Sequence, residues 1–108
     1  GVAAIHETDG GRKKLVGLGW YFTRQTLLRK QAVVEDMIVD VEYRGRGLGR
    51  MLMEELISRA REDGVEVMEL TTNPKREAAN ILYQKVGFTI HPTNHYLLKL
   101  NEPKGETT

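Results

Sequence analysis

Val39-Asp40-Val41-Glu42-Tyr43-Arg44-Gly45-Arg46-Gly47-Leu48-Gly49-Arg50 runs directly into Met51-Leu52-Met53-Glu54-Glu55-Leu56-Ile57-Ser58-Arg59-Ala60-Arg61. The first part begins β-like and becomes a loop with three glycines and three arginines. The second part is a helix, with Leu48, Leu52, Leu56 and Ala60 on one stripe and Met51 and Ile57 beside it. Alternate glycines let a ligand approach the backbone. The first amides of a helix lack internal partners, and the helix dipole adds positive potential there. A strand, a glycine-rich loop and a helix N-terminus in this order form a site for phosphate or pyrophosphate.

The spacing narrows the ligand. A Walker A loop needs G-x-x-x-x-G-K-[ST], and that Lys and hydroxyl are missing. A dinucleotide fingerprint needs G-x-G-x-x-G, whereas Arg50 stands where the last Gly belongs.

Outward from the loop, Ala32-Val33-Val34-Glu35-Asp36-Met37-Ile38-Val39-Asp40 is β-branched and mostly apolar, as for a central strand, with an unusual acidic pair inside it. Upstream, Val2–Glu7 and Leu15–Thr23 read as strands around the polar turn Asp9–Lys14, an antiparallel hairpin. Gly17 and Gly19 within the second strand point to a bulge or a close backbone approach. Downstream, Gly64 stops the helix. Val65–Thr71 is the next strand. Asn73-Pro74 reads as an N-cap followed by proline at the first helical position. The helix that follows carries Ala78, Ala79, Leu82, Tyr83 and Val86 at three- and four-residue steps and ends at Gly87. Phe88–Ile90 and Tyr96–Leu100 are strand-like, joined by the polar turn His91–His95. The expected order is β-β-β-α-β-α-β-β: an α/β domain with a mixed central sheet and flanking helices, over residues 1–100. Residues 101–108 form a polar, frayed tail.

The 108 residues, 40% hydrophobic, suit one domain with one core. Sixteen basic and 15 acidic side chains leave a net charge of +1, so no global field favours nucleic acid or an anionic membrane. An anion site must be local, and Arg44, Arg46 and Arg50 mark it. Without cysteine there are no disulfides, thiolate metal sites or Cys nucleophiles. His6, His91 and His95 have no metal-ligand spacing, so no metal is expected. No apolar run approaches spanning length and no leader is visible, which makes a soluble cytoplasmic protein the expectation.

Two motifs together resemble one family. Arg44-x-x-Gly47-x-Gly49 is similar to the R/Q-x-x-G-x-G/A pattern of the GCN5-related N-acetyltransferases, whose loop amides hold the pyrophosphate of acetyl-CoA. Arg76-x-x-Ala79-x-x-Leu82-Tyr83-x-x-x-Gly87-Phe88 resembles their second signature, R-x-x-A-x-x-L-Y-x-x-x-G-F, in the right order downstream. The likeness runs from about Val2 to Leu100. Glu35-Asp36-x-x-Val39 is similar to the branch that includes glucosamine-phosphate acetyltransferases.

The resemblance implies acetyl-CoA as cosubstrate and direct transfer of acetyl to a primary amine of a small molecule or peptide. Arg44, Gly45, Arg46, Gly47, Leu48, Gly49 and Arg50 would form the pyrophosphate loop, with Arg44 alternatively bracing it. Met37, Ile38 and Val39 would pair their backbone with the pantetheine arm, where the strand splays from the next. Tyr83 would protonate the departing thiolate, the alternative being a core aromatic. Glu35, and less so Asp36, would deprotonate the acceptor, the alternative being a structural carboxylate. Arg76 would reach a phosphate or form an ion pair, and Asn80 would touch the cofactor.

Family members begin with a strand and one or two helices before the hairpin, which here begins at residue 2. A fragment, a compact form and a fold completed by another chain, including a homodimer, all remain open. The rival readings are a non-catalytic acyl-CoA-binding module and a nucleic-acid or partner binder, the latter disfavoured by near-neutral charge and no basic–aromatic interleaving.

Overall fold

The structure is a computed structural model and describes residues 1–101. The expected polar tail lies, from residue 102 onward, outside the described residues. Strand β1 (Val2–Asp9) turns through Gly10 and Gly11 into β2 (Arg12–Gln25), and β3 (Lys30–Val39) returns beside it. A 3-10 turn (Val41–Tyr43) leads through the glycine loop to α1 (Leu48–Glu62). Strand β4 (Val67–Glu69) and helix α2 (Glu77–Lys85) follow. The sheet order is β1-β2-β3-β4, with the first two pairings antiparallel and β3–β4 parallel.

Helix α1 lies along β2, and the sequence of β2 shows why. Gly17, Gly19 and Tyr21 share the face toward α1. A Cβ on Gly17 would stand 3.2 Å from Leu52 Cδ1, and one on Gly19 would stand 3.0 Å from Leu56 Cδ1. Two missing side chains therefore let Leu52 and Leu56 seat directly on the strand. At the far end the Tyr21 hydroxyl donates to Asp63 Oδ2 at 2.6 Å, beside the C-terminus of α1. Ala3, Tyr21, Ala32, Val34, Leu52, Met53, Leu56, Ala60 and Tyr83 form the core.

Two irregularities bend the sheet. The β1–β2 register shifts between Ile5 and His6. The β2–β3 register shifts so that Trp20 faces Asp36 while Tyr21 faces Val34, leaving Glu35 as the extra residue of a bulge. The bulge interrupts the strand's side-chain alternation at Glu35 and Asp36. Asp36 lies with Trp20 on the face away from α1 and accepts the indole N–H at 3.1 Å.

Two expectations need correction. Helix α2 begins at Glu77, three residues after Pro74. Asn73 closes a turn instead of capping the helix: its Oδ1 accepts the Lys75 amide at 2.9 Å, and its carbonyl accepts the Arg76 amide at 3.0 Å. An Asn side chain bonds a backbone amide equally well in such a turn, and here that use prevails. Phe88–Ile90 and Tyr96–Leu100 form no strands. Their apolar pattern fits a strand, but a strand exists only when its backbone is paired. Among the described residues, backbone bonds in this stretch include Phe88 N–H to Tyr83 O and Thr93 N–H to His91 O, neither a ladder contact. Tyr96, Leu97, Leu98 and Leu100 are exposed.

Candidate functional site: a cleft between a splayed strand and two helices

The β3–β4 ladder covers only Gln31–Val33 against Val67–Glu69, preceded by one bond from the Glu66 amide to the Lys30 carbonyl. Beyond Val33 the strands part. The splay expected from the sequence is present, and the β4 side of Met37, Ile38 and Val39 carries no ladder. A cleft of about 610 Å³ opens there. Its walls are Met37–Val39, the turn and loop at Tyr43, Arg44, Gly45, Gly47, Leu48 and Gly49, and α2 at Arg76–Ala79, Leu82 and Tyr83.

The loop is shaped for close approach. Gly45 and Gly47 have φ of +80° and +78°, and a Cβ at either would meet nothing within 4 Å. Gly47 is the N-cap of α1, and no side chain caps the helix, so its first amides are left to a ligand. Gly49, itself a wall of the cleft, also serves helix packing. A Cβ there would stand 3.3 Å from Leu82 Cδ2, so its absence brings α2 against the start of α1.

The arginines are engaged unequally. Arg44 Nε donates to the Val39 carbonyl at 3.1 Å, the bracing alternative. Arg46 lies outside the cleft walls, its guanidinium carbon 4.9 Å from the Tyr43 ring centre. Arg50 is paired with Glu54 at 2.8 Å on the exposed surface of α1. Arg76 lines the cleft and stands at the N-cap of α2.

Tyr83 is buried in the core cluster, packs edge-on against Phe88 at 6.2 Å between centres, and lines the cleft. Its hydroxyl has no hydrogen-bond partner among the described residues. Core aromatic and cleft residue are thus both true of it. Glu35 is exposed at the bulge and is not a wall of the cleft. Asn80 also stands outside the walls: its amide donates to the carbonyls of Arg76 (2.8 Å) and Asn73 (3.1 Å), bracing the approach to α2.

Sequence reasoning missed Tyr43 and Glu77 as cleft residues. The Tyr43 hydroxyl donates to Glu7 on β1, and that bond raises the phenol pKa above its ordinary value. Glu77 opens α2, where a carboxylate complements the helix dipole, and that structural role gave no separate signal. No group of three or more metal-ligating side chains occurs among the described residues.

An α/β domain whose helix N-terminus faces a splayed strand edge has the geometry to receive an extended, phosphate-bearing ligand. The acetyltransferase (GNAT) family model matches residues 2–88, and the chain belongs to that family. It is 31% identical over 80 residues to the mycothiol acetyltransferase of Propionibacterium freudenreichii subsp. shermanii, covering 74% of this chain and 26% of that protein. It is 38% identical over 58 residues to the [ribosomal protein bS18]-alanine N-acetyltransferase of Salmonella typhimurium, covering 54% of this chain and 39% of that one. The chain thus spans well under half the length of these relatives. The crystal structure of glucosamine-6-phosphate N-acetyltransferase from Arabidopsis thaliana superposes with a TM-score of 0.76 at 23% identity, covering 90% of this chain and 65% of that one, a likeness of fold.

Proposed function

We propose that this chain is an acetyl-CoA-dependent N-acetyltransferase that passes acetyl to a primary amine by direct attack. One observation carries the reading: a strand edge and a tyrosine hydroxyl that are unpaired among the described residues line the same cleft as an uncapped helix N-terminus behind two positive-φ glycines. Each suits a different part of the cosubstrate. The amides from Arg46 to Arg50 receive the pyrophosphate, with Arg44 fixing the loop to β3. The backbone of Met37, Ile38 and Val39 pairs with the pantetheine amides as an added strand would. Arg76 supplies positive charge from the α2 side.

In the reaction the amine nitrogen forms a bond to the acetyl carbon and the carbon–sulfur bond breaks. Backbone amides at the splay polarise the carbonyl as charge develops on its oxygen. Tyr83 gives its hydroxyl proton to the thiolate. The ammonium proton passes to Glu35 through water, which has to bridge from the cleft to the exposed bulge. The test is acetyl transfer to a panel of primary amines, small molecules and peptide N-termini, followed by release of CoA thiol. Cosubstrate-dependent thiol release matched by acetylated amine supports the reading. Saturable acetyl-CoA binding with no transfer to any amine selects instead a non-catalytic acyl-CoA-binding module, a reading favoured by the position of Glu35 away from the cleft.

A further inference from the structure

Tyr43 is part of neither motif, yet it joins three segments of the chain. It is a wall of the cleft. Its hydroxyl donates to Glu7, 36 residues earlier on β1. Its ring centre lies 4.9 Å from the Arg46 guanidinium carbon and 5.2 Å from Lys14 Nζ, on β2. Lys14 is steadied in turn by Glu42, at 4.0 Å. An aromatic face attracts a cation electrostatically, and arginine also stacks flat upon it. A loop arginine flanked by glycines otherwise has many rotamers and directs its charge nowhere in particular.

We propose that Tyr43 is a positioning residue for cosubstrate binding: it holds Arg46 and Lys14 at the mouth of the cleft, where their charges meet the phosphate-bearing end of the ligand. This rests on the acetyl-CoA reading above. The hydrogen bond to Glu7 fixes the ring against the β1–β2 hairpin, so the hairpin sets where the two cations stand. Arg46 thus acts on the phosphates from its seat on the ring, although it is not itself a wall of the cleft.

The test is a double-mutant cycle on acetyl-CoA affinity, read by calorimetry at constant low salt. Its members are the wild-type chain, Tyr43→Leu, Arg46→Met and the pair, each checked for folding by circular dichroism. Tyr43→Leu is expected to weaken binding about threefold to fivefold, the size of an exposed cation–aromatic contact. Arg46→Met in the Tyr43→Leu background should cost clearly less than it does alone, because the cation has already lost its seat. Tyr43→Phe, which keeps the ring but loses its tie to Glu7, should lose clearly less affinity than Tyr43→Leu. Should Tyr43→Leu fail to fold, Tyr43→Met takes its place in the cycle. Additive effects, or equal losses in the Phe and Leu variants, would overturn the positioning role while leaving the acetyl-CoA reading intact. A folded wild-type chain that does not bind acetyl-CoA would overturn both.

Discussion

Tyr83 and Tyr21 show how one residue type serves two ends at different places. Tyr83 is buried on α2 and lines the cleft, and its hydroxyl has no hydrogen-bond partner among the described residues, which leaves it open to the acid role proposed above. Tyr83→Phe should lower turnover at saturating substrate by roughly 10²-fold, the low end for a lost general acid, with acetyl-CoA affinity unchanged. Steady-state rates beside a binding titration decide it, and unchanged turnover removes the acid role. Tyr21 is spent on the fold: only 2% exposed, it donates to Asp63 and ties β2 to the end of α1. Desolvation first, then the hydrogen bond to Asp63, pushes its pKa from 10.0 to about 12. The folded state therefore holds this proton more tightly than the unfolded chain does. The Tyr21 contribution to stability is complete below pH 10 and is lost as the pH rises toward 12. Tyr21→Phe should cost about 1 kcal/mol at neutral pH. It should also flatten the fall in stability across that alkaline window, as followed by denaturant unfolding at several pH values.

At the level of elements, glycine placement does most of the specifying. Gly17 and Gly19 bring α1 onto β2, Gly47 starts the helix, and Gly49 admits α2. Gly19→Ala puts a methyl 3.0 Å from Leu56 Cδ1 and 3.3 Å from Met37 Cγ, which should destabilise the chain by about 1–3 kcal/mol. The midpoint of denaturant unfolding measures it, and an unchanged midpoint would show that α1 does not depend on this approach. Gly47→Val has open space around its Cβ but a φ of +78°, so strain of roughly 1–2 kcal/mol adds to an obstructed approach. Loss of acetyl-CoA binding in a variant that still folds is the expected result, and normal affinity would contradict the loop assignment. Gly17, Gly19 and Gly47 were legible in the sequence because their spacing carries backbone geometry directly, whereas the packing of Gly49 against Leu82 was not. The hairpin and the helical stripe of α1 were legible for similar reasons of period and order, whereas the splay beside Met37–Val39 was expected only through the family resemblance. The start of α2 was not, because Asn73-Pro74 satisfies a turn as well as a cap. The strands expected at Phe88–Ile90 and Tyr96–Leu100 were misread because an apolar pattern says nothing about a pairing partner. Tyr43 was hidden because its partners, Glu7 and Lys14, are distant in sequence and follow no period.

Across the whole molecule, the Cα radius of gyration is 16.6 Å, against about 13 Å for a compact domain of this length. The stretch after α2 carries exposed apolar side chains, with Tyr96 88% exposed. The sheet face away from α1 shows Trp20, Phe22 and Ile38 partly to solvent. No described helix is long and apolar enough to cross a membrane. Within this open frame the cleft is the place where strand edge, loop and both helices meet. A ligand bound there and absent from the unfolded chain should raise the thermal midpoint. At one hundred times its dissociation constant it would add about 2.7 kcal/mol. The most direct measurement is calorimetric titration of the purified, folded chain with acetyl-CoA and, in parallel, with CoA. Saturable binding of both at one site per chain, abolished in Gly47→Val, is what the cleft predicts. A chain shown by circular dichroism to be folded, and giving no heat of binding with either ligand, would contradict it.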